Sequence, residues 1–142
     1  MNYFTSTKSN PLIIDLVLLV IRIFVGFAML SHGFPKLQDL LSGEEIQFFS
    51  FMGLSAKTSL TLAVFAEFVC SIFIILGLFT RFAVFFLIIT MAVAGLIVHG
   101  GDPFQKKETS LLYLSVYLML FAFGPGKFSV DYMIGRRKEN NW

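Results

Sequence analysis

The sequence predicts an all-α integral membrane protein: a four-transmembrane-helix bundle with a short amphipathic helix between helices 1 and 2. Three observations carry this. The 142 residues are 56% hydrophobic and 14% charged, with a mean hydropathy of +0.79, more apolar surface than a soluble domain of this size can cover. Long apolar runs recur between Gly- and Pro-containing breakers. Finally, two of those runs carry a lone charge, Arg22 and Glu67, and a charge at bilayer depth requires a protein partner.

The first span is expected at about 12–31. Pro11 suits a helix start, where its missing N–H is not needed. His32, Gly33 and Pro35 are expected to end it. The run is too long for a signal-peptide core, is interrupted by Arg22 and is followed by no small-residue cleavage site, so it reads as retained. Next comes the longest polar interval, 36–57. Within it, Ser42-Gly43-Glu44-Glu45 has the form of a capping box, with Ser42 as N-cap. Ile46, Phe48, Phe49, Phe51 and Met52 follow, and Gly53 is a natural stop. This is the predicted amphipathic helix, either lying on the membrane surface or capping the bundle.

The second span is expected at about 59–79, interrupted by Glu67, with Gly77 and Thr80-Arg81 marking a tight turn. The third is expected at about 82–98, ended by His99-Gly100-Gly101-Asp102-Pro103. The fourth, about 109–123, is short for a hydrocarbon core of about 30 Å. Gly124-Pro125-Gly126 closes it. The tail 127–142 carries Arg136, Arg137 and Lys138. One membrane domain therefore covers 1–142. Four spans place both termini on one side, and the distribution of Lys and Arg puts that side in the cytoplasm.

The chemistry is expected at the polar groups within the spans. Asp15 lies one heptad before Arg22, on the same helical face. Glu67 lies at a similar expected depth on the second span, beside a stripe of small or polar residues: Ala63, Cys70 and Ser71. An Arg22–Glu67 ion pair follows, either as a clasp fixing helix register or as the wall of a polar pocket. His32, Lys36, His99 and Glu108 fall at the other ends of the spans and would form the pocket mouth. Neither histidine belongs to a close-spaced ligand motif, so no metal is expected. Tyr113 and Tyr117 read as packing aromatics, and Cys70 as a small packing residue. One cysteine excludes an internal disulfide and any multi-cysteine cluster. A net charge of +2 with no basic stripe gives no reason to expect nucleic acid. No Walker loop, dinucleotide fingerprint or hydrolase elbow is present, so no complete catalytic motif lies on this chain.

Several stretches together resemble the DoxX family of small bacterial membrane proteins. They are RIFVGFAMLSHGFPKL (22–37), the segment 49–54, AEFVCSIFIILGLFTR (66–81), His99, Glu108 and FGPGKFSVD (123–131). The resemblance implies a multi-pass protein of the bacterial inner membrane. Relatives are linked to a quinone-reducing thiosulfate oxidoreductase, to quinone or catechol stress, and to membrane complexes that handle oxidants and thiols. For this chain that implies a subunit or anchor of a quinone- or thiol-linked redox system, with quinone as the possible cofactor. The alternatives are a non-enzymatic scaffold for a soluble redox protein and a small-solute transporter, which would need a homo-oligomer.

Overall fold

A computed structural model describes residues 8–139 of the protein. The polar leader at 1–7 and the last residues of the tail, 140–142, lie outside the described residues. The first helix, α1 (Pro11–Ser42), begins where Asn10 accepts a hydrogen bond from the Leu12 amide at 3.0 Å. It does not stop near residue 31. It runs through Pro35 and ends only at Gly43, which adopts the left-handed conformation (φ 73°). Proline withholds one helical hydrogen bond, but tertiary packing on both sides of it keeps the helix continuous.

That extension removes the predicted amphipathic helix. Ser42 is already the last helical residue of α1, so it cannot serve as the extended N-cap of a new one. Its hydroxyl bonds back to the Asp39 carbonyl at 2.8 Å. The chain from 44 to 50 is not helical, and a single turn at Phe51–Gly53 is all that forms.

The second helix, α2 (Ala56–Leu76), is capped by Ser55, whose hydroxyl accepts from the Thr58 amide at 3.2 Å. Over Phe65–Cys70 it widens to i→i+5 hydrogen bonding, a bulge that is uncommon and frequent at functional sites. It ends at Gly77 (φ 69°). After this tight turn α3 (Thr80–Val98) begins, and it too widens over Val93–Val98. The fourth helix, α4 (Phe104–Phe123), starts earlier than the sequence suggested. Within the tail expected at 127–142 a further helix forms, α5 (Val130–Glu139). The Ser129 hydroxyl accepts from the Tyr132 amide at 3.2 Å and so starts α5.

Close approaches fix the register. Along α1, Arg22 abuts Gly77, Gly26 abuts Ser71 and Ile75, and Gly33 abuts the backbone of Glu67. The numbers rise on one helix as they fall on the other, so α1 and α2 are antiparallel. Gly95 against Ser110 and Leu111, with Arg81 near Gly124, does the same for α3 and α4. The bundle thus has a terminal end, holding the start of α1, the α2–α3 turn and α5, and an opposite end, holding the α1–α2 and α3–α4 connections.

The core is narrow: Val25, Met29, Cys70, Ile74, Leu87, Tyr117 and Leu120 lie at its centre. Large apolar side chains face outward along the helices, among them Phe24 (75% exposed), Phe27 and Leu96. In water this would be an extended sticky surface. In lipid it is the expected exterior. Helices α1, α2 and α3 are each long and apolar enough to cross a membrane. Helix α4 has 20 residues but opens with Lys106, Lys107 and Glu108.

Candidate functional site

Arg22 and Glu67 do not meet. Arg22, 1% exposed, lies at the terminal end beside Gly77. Glu67 lies ten residues back along α2, about 15 Å at helical rise. Each has a different partner, and the two ends of the bundle are built around them.

At the terminal end the guanidinium of Arg22 donates to two backbone carbonyls, Nη1 to Pro125 at 2.5 Å and Nη2 to Phe128 at 2.6 Å. Backbone carbonyls from the loop after α4 therefore replace the expected carboxylate. A side chain at position 77 would run into Arg22 and Ser129, so Gly77 both makes the turn and leaves room for the guanidinium. Asp15 does not pair with Arg22 either. Its Oδ1 accepts from the Lys127 amide at 3.0 Å, and Oδ2 lies 3.9 Å from the Lys127 ammonium. Asp131 completes the knot. Its two oxygens accept from the amides of Phe79 and Thr80, at 2.7 and 2.9 Å. This caps α3 from a residue far along the chain, where Phe79 holds a positive φ of 45° and offers no side-chain cap. The negative charge of Asp131 also acts on Arg22.

At the opposite end Glu67, 3% exposed, pairs with Lys36, whose Nζ lies 2.5 and 2.6 Å from the two carboxylate oxygens. Lys36 reaches Glu67 because α1 continues past Pro35. Gly33 is what lets the helices touch here: a Cβ on it would sit 2.7 Å from the Glu67 carbonyl carbon. The ring of Phe48, from the α1–α2 connection, lies 5.9 Å from the Lys36 ammonium, within cation–π range.

The same end holds an aromatic ladder. His32 meets Tyr113 edge-on at 6.0 Å, and Tyr113 stacks on Tyr117 at 6.0 Å. Tyr117 is fully buried, its hydroxyl has no hydrogen-bond partner, and it lies within electrostatic reach of Glu67 and Cys70. Buried hydroxyls nearly always find partners. The sequence reading took both tyrosines for packing. The signal available was their i, i+4 spacing, which puts them on one face of α4.

The remaining predicted mouth residues stand apart. His99 sits in the α3–α4 connection, with Nδ1 2.9 Å from Oδ2 of Asp102. That hydrogen bond, with Lys106 and Lys107 nearby, holds the exposed Asp102 carboxyl below its ordinary range. Glu108 is exposed on the first turns of α4. Neither touches the Lys36–Glu67 pair. Among the described residues no group of three or more His, Cys, Asp and Glu side chains could hold a metal ion. Two cavities are described. One, of about 430 Å³, is at the terminal end against α5, and the other is a groove on the lipid-facing side of α1 lined by Val20, Phe24 and Phe27. Neither of these is lined by Arg22 or Glu67.

Antiparallel apolar helices with an outward-facing hydrocarbon surface, and buried charges each held by a neighbouring segment, define a membrane-embedded helical protein. A family model described as DoxX matches residues 17–100, more than half of the chain. The chain belongs to the DoxX family. No curated protein and no solved structure matches it.

Proposed function

We propose that this protein is a subunit or anchor of a quinone- or thiol-linked redox system in a bacterial inner membrane. In this reading α4 is a fourth crossing, the terminal end faces the cytoplasm, and the opposite end carries the binding site. The site is the Lys36–Glu67 pair with Tyr117, Tyr113 and His32 beside it. It is not centred on Arg22, whose hydrogen bonds go to the chain itself.

One observation carries the reading: the Tyr117 hydroxyl is buried without a partner, on the ring that stacks on Tyr113 and through it meets His32. An unpaired donor in such a place costs about 1–3 kcal/mol, and a ligand oxygen would relieve that cost. Lys36 is an ammonium donor with 31% of its side chain exposed. Together the two could donate to a quinone carbonyl, and Glu67 could accept or return a proton, as general acid–base chemistry at a carbonyl requires. The i→i+5 bulge that carries Glu67 fits a functional role.

The test is purification with native lipid, followed by mass spectrometry and quinone titration. Bound quinone is expected, weakened about tenfold by Tyr117→Phe through loss of one hydrogen bond. If no quinone co-purifies and added quinone fails to bind, the reading fails. A stoichiometric soluble redox protein in its place would make the chain a scaffold, and a solute flux requiring Glu67 would make it a transporter.

A further inference from the structure

Helix α5 and the loop before it are not used by the site at the opposite end, yet they carry four of the chain's eleven Lys and Arg residues. From Tyr132 onward the described side chains of α5 are all exposed. Three of them are large and apolar or aromatic: Tyr132, Met133 (61% exposed) and Ile134. Three more are cations, Arg136, Arg137 and Lys138, and none of these forms an ion pair among the described residues. The Arg136 guanidinium lies 6.0 Å from the Tyr132 ring, which holds it over the first turn of the helix.

Beneath that turn is the cavity of about 430 Å³, lined by Asp15, Gly126, Lys127, Asp131, Tyr132 and Arg136, among others. The lining balances two carboxylates against two cations, but Asp15 is buried whereas Lys127 and Arg136 are exposed. Both oxygens of Asp131 are engaged by the Phe79 and Thr80 amides, and Asp15 is engaged by the Lys127 amide. The Lys127 ammonium, 59% exposed and 3.9 Å from Asp15, and the Arg136 guanidinium keep their donors available. The cavity therefore presents cations at its rim, at the level where α1 emerges from its apolar run.

We infer that this end of the protein binds the headgroup of an anionic phospholipid, with the phosphate between Lys127 and Arg136 and α5 lying in the headgroup layer. Charge complementarity selects that occupant. An exposed apolar turn, Tyr132 to Ile134, followed on the next turn by three cations without an ion pair among the described residues, on a helix joined directly to the membrane bundle, matches a basic juxtamembrane segment on an anionic leaflet. A soluble acidic protein would match the cations but would give Met133 and Ile134 no hydrocarbon to enter. The interaction is independent of the redox reading, since it involves none of its residues.

The full-length protein, reconstituted in nanodiscs of phosphatidylcholine or of equimolar phosphatidylcholine and phosphatidylglycerol, supplies the test. Amide exchange over 130–139 is expected to slow at least about fivefold in the anionic discs, because each basic residue near such a surface is worth about that factor. The slowing should vanish in R136Q/R137Q/K138Q and fade at an ionic strength of about 1 M, where charge interactions are screened beyond about 3 Å. These exposed positions leave the bundle intact, and unchanged exchange in α2 checks that. Spin-labelled phosphatidylglycerol should show an immobilised fraction that K127Q reduces. Equal exchange in the two disc types would overturn the inference, as would slowing that the triple variant retains. Protection appearing only on addition of an acidic soluble protein would overturn it in favour of that partner.

Discussion

The two ends of the bundle treat a buried charge in opposite ways. At the terminal end Arg22 donates to the carbonyls of Pro125 and Phe128, and Asp15 and Asp131 accept from amides of the loops around it. Each charge there ties together segments distant in sequence: the α4–α5 loop to α1, and α5 to the α2–α3 turn. At the opposite end Glu67 has one side-chain partner, Lys36, which is partly open to the outside, and the Tyr117 hydroxyl, within electrostatic reach of Glu67, has none. The convergence of three distant segments on these charges makes the first end a structural clasp, although Arg22 Nε and the Thr80 hydroxyl are buried there without a partner. At the second end the buried carboxylate depends on a single, partly exposed cation, and it is there that the proposed binding site is placed.

The largest effect is therefore expected from Arg22→Ala. It removes two charge-assisted hydrogen bonds and leaves two carbonyls without their donor, at a cost of about 3 kcal/mol or more. Thermal melting in nanodiscs should fall steeply, and protease sensitivity at the α4–α5 loop should rise. Little change in either would place the clasp elsewhere. Gly33→Ala comes next. Its Cβ would meet the Glu67 backbone at 2.7 Å, and neither helix can yield without losing contact. Overpacking of this kind costs about 1–3 kcal/mol, and ligand binding at Glu67 should be lost with it.

Smaller effects should divide the Lys36–Glu67 pair unequally. Lys36→Ala leaves a nearly buried carboxylate without its cation, whereas Glu67→Gln leaves a lysine that can turn toward solvent. The first should cost about 2 kcal/mol and the second less than about 1 kcal/mol, as melting of the two variants side by side would show. The reverse order would mean that Lys36 is the more enclosed partner.

The smallest effect belongs to Asp102, at the exposed α3–α4 connection. Its carboxyl is held below the ordinary 3.8, first by the His99 hydrogen bond and then by Lys106 and Lys107. A depressed folded-state value means the contact supports the loop above the ordinary carboxylate range. That support is lost as pH falls through the depressed value. Carbon-detected titration should find Asp102 below 3.8 and moving up toward it in His99→Gln. An unchanged titration in that variant would remove the hydrogen bond as the cause.

These contrasts also explain what the sequence could disclose. Hydropathy located the apolar spans, because lipid imposes a composition on every residue that faces it. It also marked Arg22 and Glu67 as groups that must be satisfied. It could not pair them correctly. The partners of Arg22 are backbone carbonyls, which any residue supplies and which leave no mark in the sequence. Lys36 fell to the expected pocket mouth because His32, Gly33 and Pro35 have the character of a helix stop. In the fold that Gly33 is the contact point that keeps α1 against Glu67. The same early stop made Ser42-Gly43-Glu44-Glu45 look like the beginning of a helix. Asp131 as the cap of α3 was beyond reach, since capping is read from neighbours in sequence and this cap comes from 51 residues away. The tyrosines of α4 were visible as a pair, but only packing shows that one hydroxyl is left without a partner.

The division of labour between the ends can be measured with one thermodynamic cycle: Arg22→Ala, Glu67→Gln and the double variant, each melted in nanodiscs. Residues without shared partners add to within about 0.5 kcal/mol. The structure predicts a large loss for the first, a small loss for the second and a simple sum for the double. A coupling well above that limit would mean that the arginine and the glutamate share a site after all.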